Sequence, residues 1–159
     1  MSQEIVGIAD VKVSRDPNNV LITYALGSCI GITAFDPSVK VGGLLHFMLP
    51  TSSLDLDKAR KNPSMFADTG IPLLFKSCYK LGAKKKRMIV KIAGGASVLD
   101  NENYFRIGEK NITAVRKIFW KNKIMISAED IGDNYNRTIT LHLSTGRVLV
   151  KNRGTIIEL

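Results

Sequence analysis

Apolar residues in this chain come in short runs cut by Gly, Pro, Asn and Asp, and only two stretches carry the spacing of an amphipathic helix. That pattern constrains the fold most. Short β-rich runs bury their side chains only by pairing into sheets, and amphipathic helices then pack on a sheet face. Val6, Ile8, Val11 and Val13 mark an early strand whose alternation changes phase at Ala9-Asp10, before a turn at Asp16-Pro17-Asn18-Asn19. Residues 20–26 form a second strand, Gly27-Ser28 breaks it, and 29–35 continue as a third. Asp36-Pro37-Ser38 is a turn, and a buried-type strand over 39–49 ends at Pro50. Further strands are predicted over 88–93, 124–128, 137–143 and 147–150, the last two joined at Ser144-Thr145-Gly146.

The first helix is predicted over 63–81, with Asn62 as N-cap and Gly82 as its stop. Phe66, Leu73, Leu74, Cys78 and Leu81 share one face, and Pro72 implies a kink or a late start. The second helix covers 109–121, with Ile112, Val115, Ile118 and Phe119 inward. Residues 51–61 and 97–107 read as connections. Eight strands and two helices make an α+β layered domain rather than a doubly wound nucleotide fold. No repeat or Pro/Gly/Ser-rich linker divides the chain, so one domain across 1–159 is expected.

Composition excludes several classes. At 45% hydrophobic the chain is too apolar for disorder, yet its longest apolar stretch, 41–49 with His46 inside, is far too short to span a membrane. Met1-Ser2-Gln3-Glu4-Ile5-Val6 lacks a basic then apolar leader, so no secretory signal is expected. Cys29 and Cys78 are too few for a disulfide scaffold and have no CxxC spacing; a reducing compartment is the expectation. With His46 and His142 they stand at irregular separations, which argues against a zinc site. The net charge of +9 is concentrated: residues 58–91 hold ten Lys or Arg against one acid, Asp68. Such a surface favours acidic partners. No helix-turn-helix, aromatic RNA platform or zinc finger accompanies it, so nucleic acid is not the expected partner.

The most informative stretch runs from Leu26 to Pro50. Cys29 follows a Leu-Gly-Ser turn, where glycine permits a sharp bend and leaves the next side chain accessible, as nucleophiles require. His46 interrupts the apolar run Gly42-Gly43-Leu44-Leu45-His46-Phe47-Met48-Leu49-Pro50. If the two strands are neighbours, Cys29 and His46 meet, and a Cys–His pair supplies a thiolate and an acid for a leaving amine. Thr23 is placed to hold the imidazole through its hydroxyl. A lone buried cysteine or histidine is more often a satisfied core group. Cys78, on a helix stripe, fits that description best. His142, on the polar face of a strand with Thr138 and Thr140, is the one other candidate partner for Cys29. Gly94-Gly95-Ala96 has no following Lys-Ser/Thr, so it is no P-loop and reads as a strand-ending turn. Lys84-Lys85-Lys86-Arg87 reads as a solvated loop.

Leu26-Gly27-Ser28-Cys29 and Gly43-Leu44-Leu45-His46-Phe47-Met48-Leu49-Pro50 resemble the two signature segments of the CheD chemoreceptor glutamine deamidases. Lys91-Ile92-Ala93-Gly94-Gly95-Ala96 is similar to that family's third motif, Ile107-Gly108-Glu109-Lys110-Asn111 to its fourth, and Asp130-Ile131-Gly132 through Arg137 to its fifth. Ser144-Thr145-Gly146-Arg147-Val148 fits its closing hairpin. The resemblance implies an α/β/β three-layer sandwich similar to the cytotoxic necrotizing factor catalytic domain. It implies a cytoplasmic protein that deamidates glutamines on methyl-accepting chemotaxis receptor helices, with no cofactor, no metal and no membrane insertion. It also implies binding to a CheC-type phosphatase; a non-catalytic module that only binds such a phosphatase is the alternative. By that likeness Cys29 is the nucleophile, His46 the base and Thr23 the third catalytic residue. Backbone N–H groups around Gly27 and Ser28 are then the expected oxyanion donors. Three departures stand out: Asp133 where a second glycine is usual, with Asn136 before Arg137; Ala93 where Phe is frequent; and Lys110 where Arg is common.

Overall fold

In β4 (Ile30–Asp36) and β5 (Val41–Phe47) every residue is buried, so the sheet they centre is covered on both faces. The computed structural model describes residues 2–97 and 105–159. Its other strands are β1 (Ser2–Ile5), β2 (Asp10–Ser14), β3 (Asn19–Leu26), β6 (Ile89–Gly94), β7 (Ile126–Ile131), β8 (Arg137–His142), β9 (Val148–Asn152) and β10 (Thr155–Glu158). The helices are α1 (Leu56–Lys61), α2 (Ala67–Lys80) and α3 (Ile107–Lys121). Two mixed five-stranded sheets result, one ordered β2-β5-β4-β6-β7 and the other β1-β3-β8-β9-β10.

Alternation along β4 and β5 assigns each face its own core. Ile30, Ile32, Ala34, Leu45 and Phe47 pack with Ala67, Leu74, Phe75 and Cys78 of α2 and with Val115 and Phe119 of α3. Phe35 and Leu44 turn the other way and pack with Leu21, Leu26, Ile139, Leu141 and Val150 of the second sheet. The order is helices, sheet, sheet, an α+β sandwich. At roughly 1.5–3 kcal/mol per buried large aliphatic side chain, both interfaces contribute substantially to the fold.

The sequence-based reading needs correction at several points. The early strand holds only over Val11 and Val13, in β2; Val6 and Ile8 lie in the connection from β1, which was not anticipated, and the phase change is the turn there, with Ala9 at φ +56°. Residues 51–61 are not only a loop: Asp55 caps α1 through a bond from the Lys58 N–H. Asn62 caps a short 3₁₀ turn, Pro63–Met65, so α2 starts late, at Ala67, and accommodates Pro72 in its second turn. α3 begins two residues earlier than predicted, and of the connection over 97–107, residues 98–104 lie outside the described residues. β10 was not anticipated; it pairs antiparallel with β9 across Arg153-Gly154, both at positive φ.

Lys84-Lys85-Lys86-Arg87 is not simply solvated. Asp36, wholly buried, accepts from the Lys84 N–H at 2.9 Å and pairs with Arg87 at 2.8 Å. Burial alone would raise that carboxyl, but Arg87 and the Lys84 and Ser38 N–H groups outweigh it and hold it below the usual range. The turn after β4 is thereby pinned to the turn before β6.

Candidate active site

His46 is on the face of β5 that meets the second sheet, two residues along from Leu44. Its partner across the ladder is Gly31 of β4, and Cys29 lies two residues before Gly31. Cys29 packs against the same inter-sheet cluster. The register therefore puts Cys29 diagonally across from His46, a spacing of about 7–8 Å for such a pair. Gly31 has no room for a side chain on this face: a Cβ there would press on Leu26 and Ile139.

Thr23 comes from the opposite sheet. Regular alternation along β3 would put Leu21, Thr23 and Ala25 inward, but the register against β8 shifts between Thr23 and Leu26, with Ala25 at φ +56°. This bulge turns Ala25 out and Leu26 in, so that Thr23 and Leu26 both face the core. Thr23 Oγ1 donates to the Val6 carbonyl at 2.7 Å and lies 2.7 Å from His46 Nδ1. A hydroxyl has one proton. With that proton on Val6 O, Oγ1 can only accept from the ring, which makes His46 the Nδ1–H tautomer. Nε2 then carries the lone pair, and it has no hydrogen-bond partner among the described residues. Burial pushes this imidazole down from its ordinary 6.5 to about 4, against the opposing pull of the Asp10 carboxylate. At neutral pH it is an unprotonated base.

The Cys29 turn is held from behind. Gly27 O accepts from the Ala96 N–H at 2.8 Å and Cys29 O from the Gly95 N–H at 2.9 Å, while Ser28 O accepts from the Asn111 side chain at 2.9 Å. In trans peptides each N–H points opposite its carbonyl, so the Ser28 and Cys29 N–H groups are directed away from these donors. Gly94, at φ +117°, sits so tightly on Cys29 that a Cβ would collide with the Cys29 carbonyl. Arg137, fully buried, bonds Gly132 O at 2.9 Å, pairs with Asp130 at 3.1 Å and stacks on Tyr135 at 4.4 Å. The Gly132 N–H in turn bonds Gly94 O. Asp133, one of the departures, takes the left-handed φ of +62° that a glycine would, and its carbonyl bonds the Ser97 N–H.

Of the sequence-predicted residues, Thr23 and His46 are in contact, Cys29 is diagonal to His46 in the register, and Gly27 and Ser28 precede it in the same turn. His142 does not join the group. It alternates with the inward Leu141 on β8 and pairs across the ladder with Val20, away from the Thr23 end of β3. Cys78 is buried under α2, where its thiol is pushed up to about 12. Asn111, Gly95 and Arg137 were seen only as parts of motifs, since bonds spanning dozens of residues leave no local pattern. Among the described residues no group of three His, Cys, Asp or Glu side chains converges to hold a metal, and no helix is long and apolar enough to cross a membrane.

Comparison with known proteins shows the family. A family model described as CheD chemotactic sensory transduction matches residues 48–152. A Syntrophus aciditrophicus protein named "Probable chemoreceptor glutamine deamidase CheD 1" is 62% identical over 97% of this chain and 96% of its own. A Solibacter usitatus protein with the corresponding CheD name is 46% identical over 100% of this chain and 94% of its own. One from Pyrococcus horikoshii is 43% identical over 99% and 98%. With its motifs in order and its relatives matched end to end, the chain belongs to the CheD family.

Proposed function

We propose that this protein hydrolyses the side-chain amide of selected glutamines on chemotaxis receptors, leaving glutamate and releasing ammonia. The carrying observation is the orientation of His46: Nδ1–H fixed on Thr23, Nε2 bare, diagonal to Cys29. Nε2 takes the Cys29 proton and the sulfur attacks the amide carbon. The resulting oxyanion is met by the Ser28 and Cys29 N–H groups, directed forward by the clamps on their carbonyls. The imidazolium, disfavoured by burial, passes its proton to the departing ammonia. His46 then deprotonates a water that cleaves the glutamyl thioester and returns the proton to sulfur. The names of the relatives supply the substrate class, and the basic stretches suit acidic receptor helices in the cytoplasm.

The same reading includes one domain across 1–159, kinship of its α/β/β layering with cytotoxic necrotizing toxin catalytic domains, and a CheC-type phosphatase as a second partner. Peptide mapping of a receptor cytoplasmic fragment incubated with the protein tests the activity, with glutamine-to-glutamate conversion expected. No conversion on any cognate receptor, with the protein folded and reduced, would leave a phosphatase-binding module as the better account. An unchanged CheC-type phosphatase rate in its presence would remove that partner instead.

A further inference from the structure

We propose that Asn111 is a positioning residue for this chemistry: its amide supplies the rung that the ladder between the Cys29 turn and the His46 strand lacks. The proposal rests on the deamidase reading above. The last pair that β4 and β5 form at this end is Ile30 with Phe47. Cys29 lies one residue past that pair on one side, and Met48 one residue past it on the other. Beyond this point no ladder fixes the two chain segments relative to each other. Asn111 does so from α3, with its Nδ2 donating to Ser28 O and to Met48 O, each at 2.9 Å. Both bonds land close to the reacting pair, one residue before Cys29 and two residues after His46.

The seat for this amide is built by the same helix. Gly108, almost one turn earlier, packs so closely on the Gly95 and Ala96 carbonyls that no side chain fits there. α3 is thus pressed against the turn that holds Gly27 O and Cys29 O, and Asn111 is delivered to the third carbonyl of the series. The side chain is wholly buried, and since both its partners are carbonyls, its own Oδ1 finds no donor among the described residues. Further along, α3 fills its inward positions with Val115 and Phe119. A residue chosen for packing alone would follow them and leave no buried acceptor unpaired. What the asparagine adds is geometry at Cys29 and His46.

The test compares wild type, Asn111→Ala, the same-shaped Asn111→Asp and, as a destabilised control on the same helix, Val115→Ala. Folding is checked by circular dichroism and thermal melting. Site-resolved alkylation of Cys29 by iodoacetamide at pH 7 reads the pair without any receptor, because His46 assists only if the thiol is in register. Alkylation is expected to slow by about threefold or more in both Asn111 variants and to stay at the wild-type rate in Val115→Ala. On a receptor fragment, kcat is expected to fall about 10- to 100-fold with KM little changed. Wild-type alkylation and kcat in a folded Asn111→Ala or Asn111→Asp protein would overturn the proposal. So would loss of the fold in both, which would make the residue a support of the whole domain. If wild type itself converts no glutamine, the deamidase reading fails, and the alkylation rates alone decide on Asn111.

Discussion

The two faces of the central sheet are built from the same strands and serve opposite ends. Toward the helices, Ile30, Ile32, Leu45 and Phe47 close a wholly apolar layer with Cys78 sealed inside it. Toward the second sheet, the alternate positions hold His46 and Gly31, joined there by Thr23, Arg137 and the half-buried Cys29. The first face needs only volume and burial. The second has hydrogen bonds specified atom by atom, an imidazole with one nitrogen unpartnered among the described residues, and, at its edge, a strand bulged at the left-handed Ala25. One cysteine is inert because burial raises its thiol to about 12; the other stands beside a base that burial keeps unprotonated. Desolvation acts on both faces: it holds the Cys78 thiol protonated and His46 unprotonated, and in the proposed mechanism only the second of these serves the chemistry.

The contrast can be broken first at the histidines. His46→Ala should lower the deamidation rate by about 100-fold or more, while His142→Ala keeps most of it. Equal losses would mean that the chemistry is not confined to the space between the two sheets, since His142 lies on the outer side of β8. Gly94→Ala comes next: the added methyl meets the Cys29 carbonyl, at a φ that alanine rarely adopts. It should cost about 2–4 kcal/mol by urea unfolding and remove activity in whatever remains folded.

A pH titration of stability sharpens the comparison. His46 sits near 4 in the folded protein and near 6.5 unfolded, so between those values the unfolded chain binds the extra proton. Stability should therefore climb with pH across that window, by up to about 3 kcal/mol, and gain nothing further from this group above it. His46→Gln should flatten the slope; an unchanged slope would assign it elsewhere. Asp36, held below 3.8, acts in the same direction but only at lower pH. The smallest effect is expected at the bulge, where Ala25→Gly relieves a left-handed alanine and should shift stability by no more than about 1 kcal/mol either way. A larger loss would mean that the methyl group is needed for packing.

Much of the candidate site was legible in the sequence because its residues violate local pattern: Gly27-Ser28 breaks a strand, and His46 interrupts an apolar run. The layered class was legible too, from strand-length runs and two helical stretches. What local pattern does not carry is which distant segments meet. Asn111 reaches Ser28 across 83 positions and Arg87 reaches Asp36 across 51, so their roles emerge only from the fold. α1 escaped because it is short and polar, with Ala59 its one buried residue, and β10 because all four of its residues are exposed and show no alternation.

The most direct test sets the two cysteines against each other on one substrate. A receptor cytoplasmic fragment is incubated with wild type, Cys29→Ala or Cys78→Ala, each shown to be folded, and its glutamines are read by peptide mapping. The account predicts conversion at the same sites by wild type and Cys78→Ala, and none by Cys29→Ala. Conversion by Cys29→Ala, or its loss in a folded Cys78→Ala, would contradict the assignment of the chemistry to the face between the two sheets.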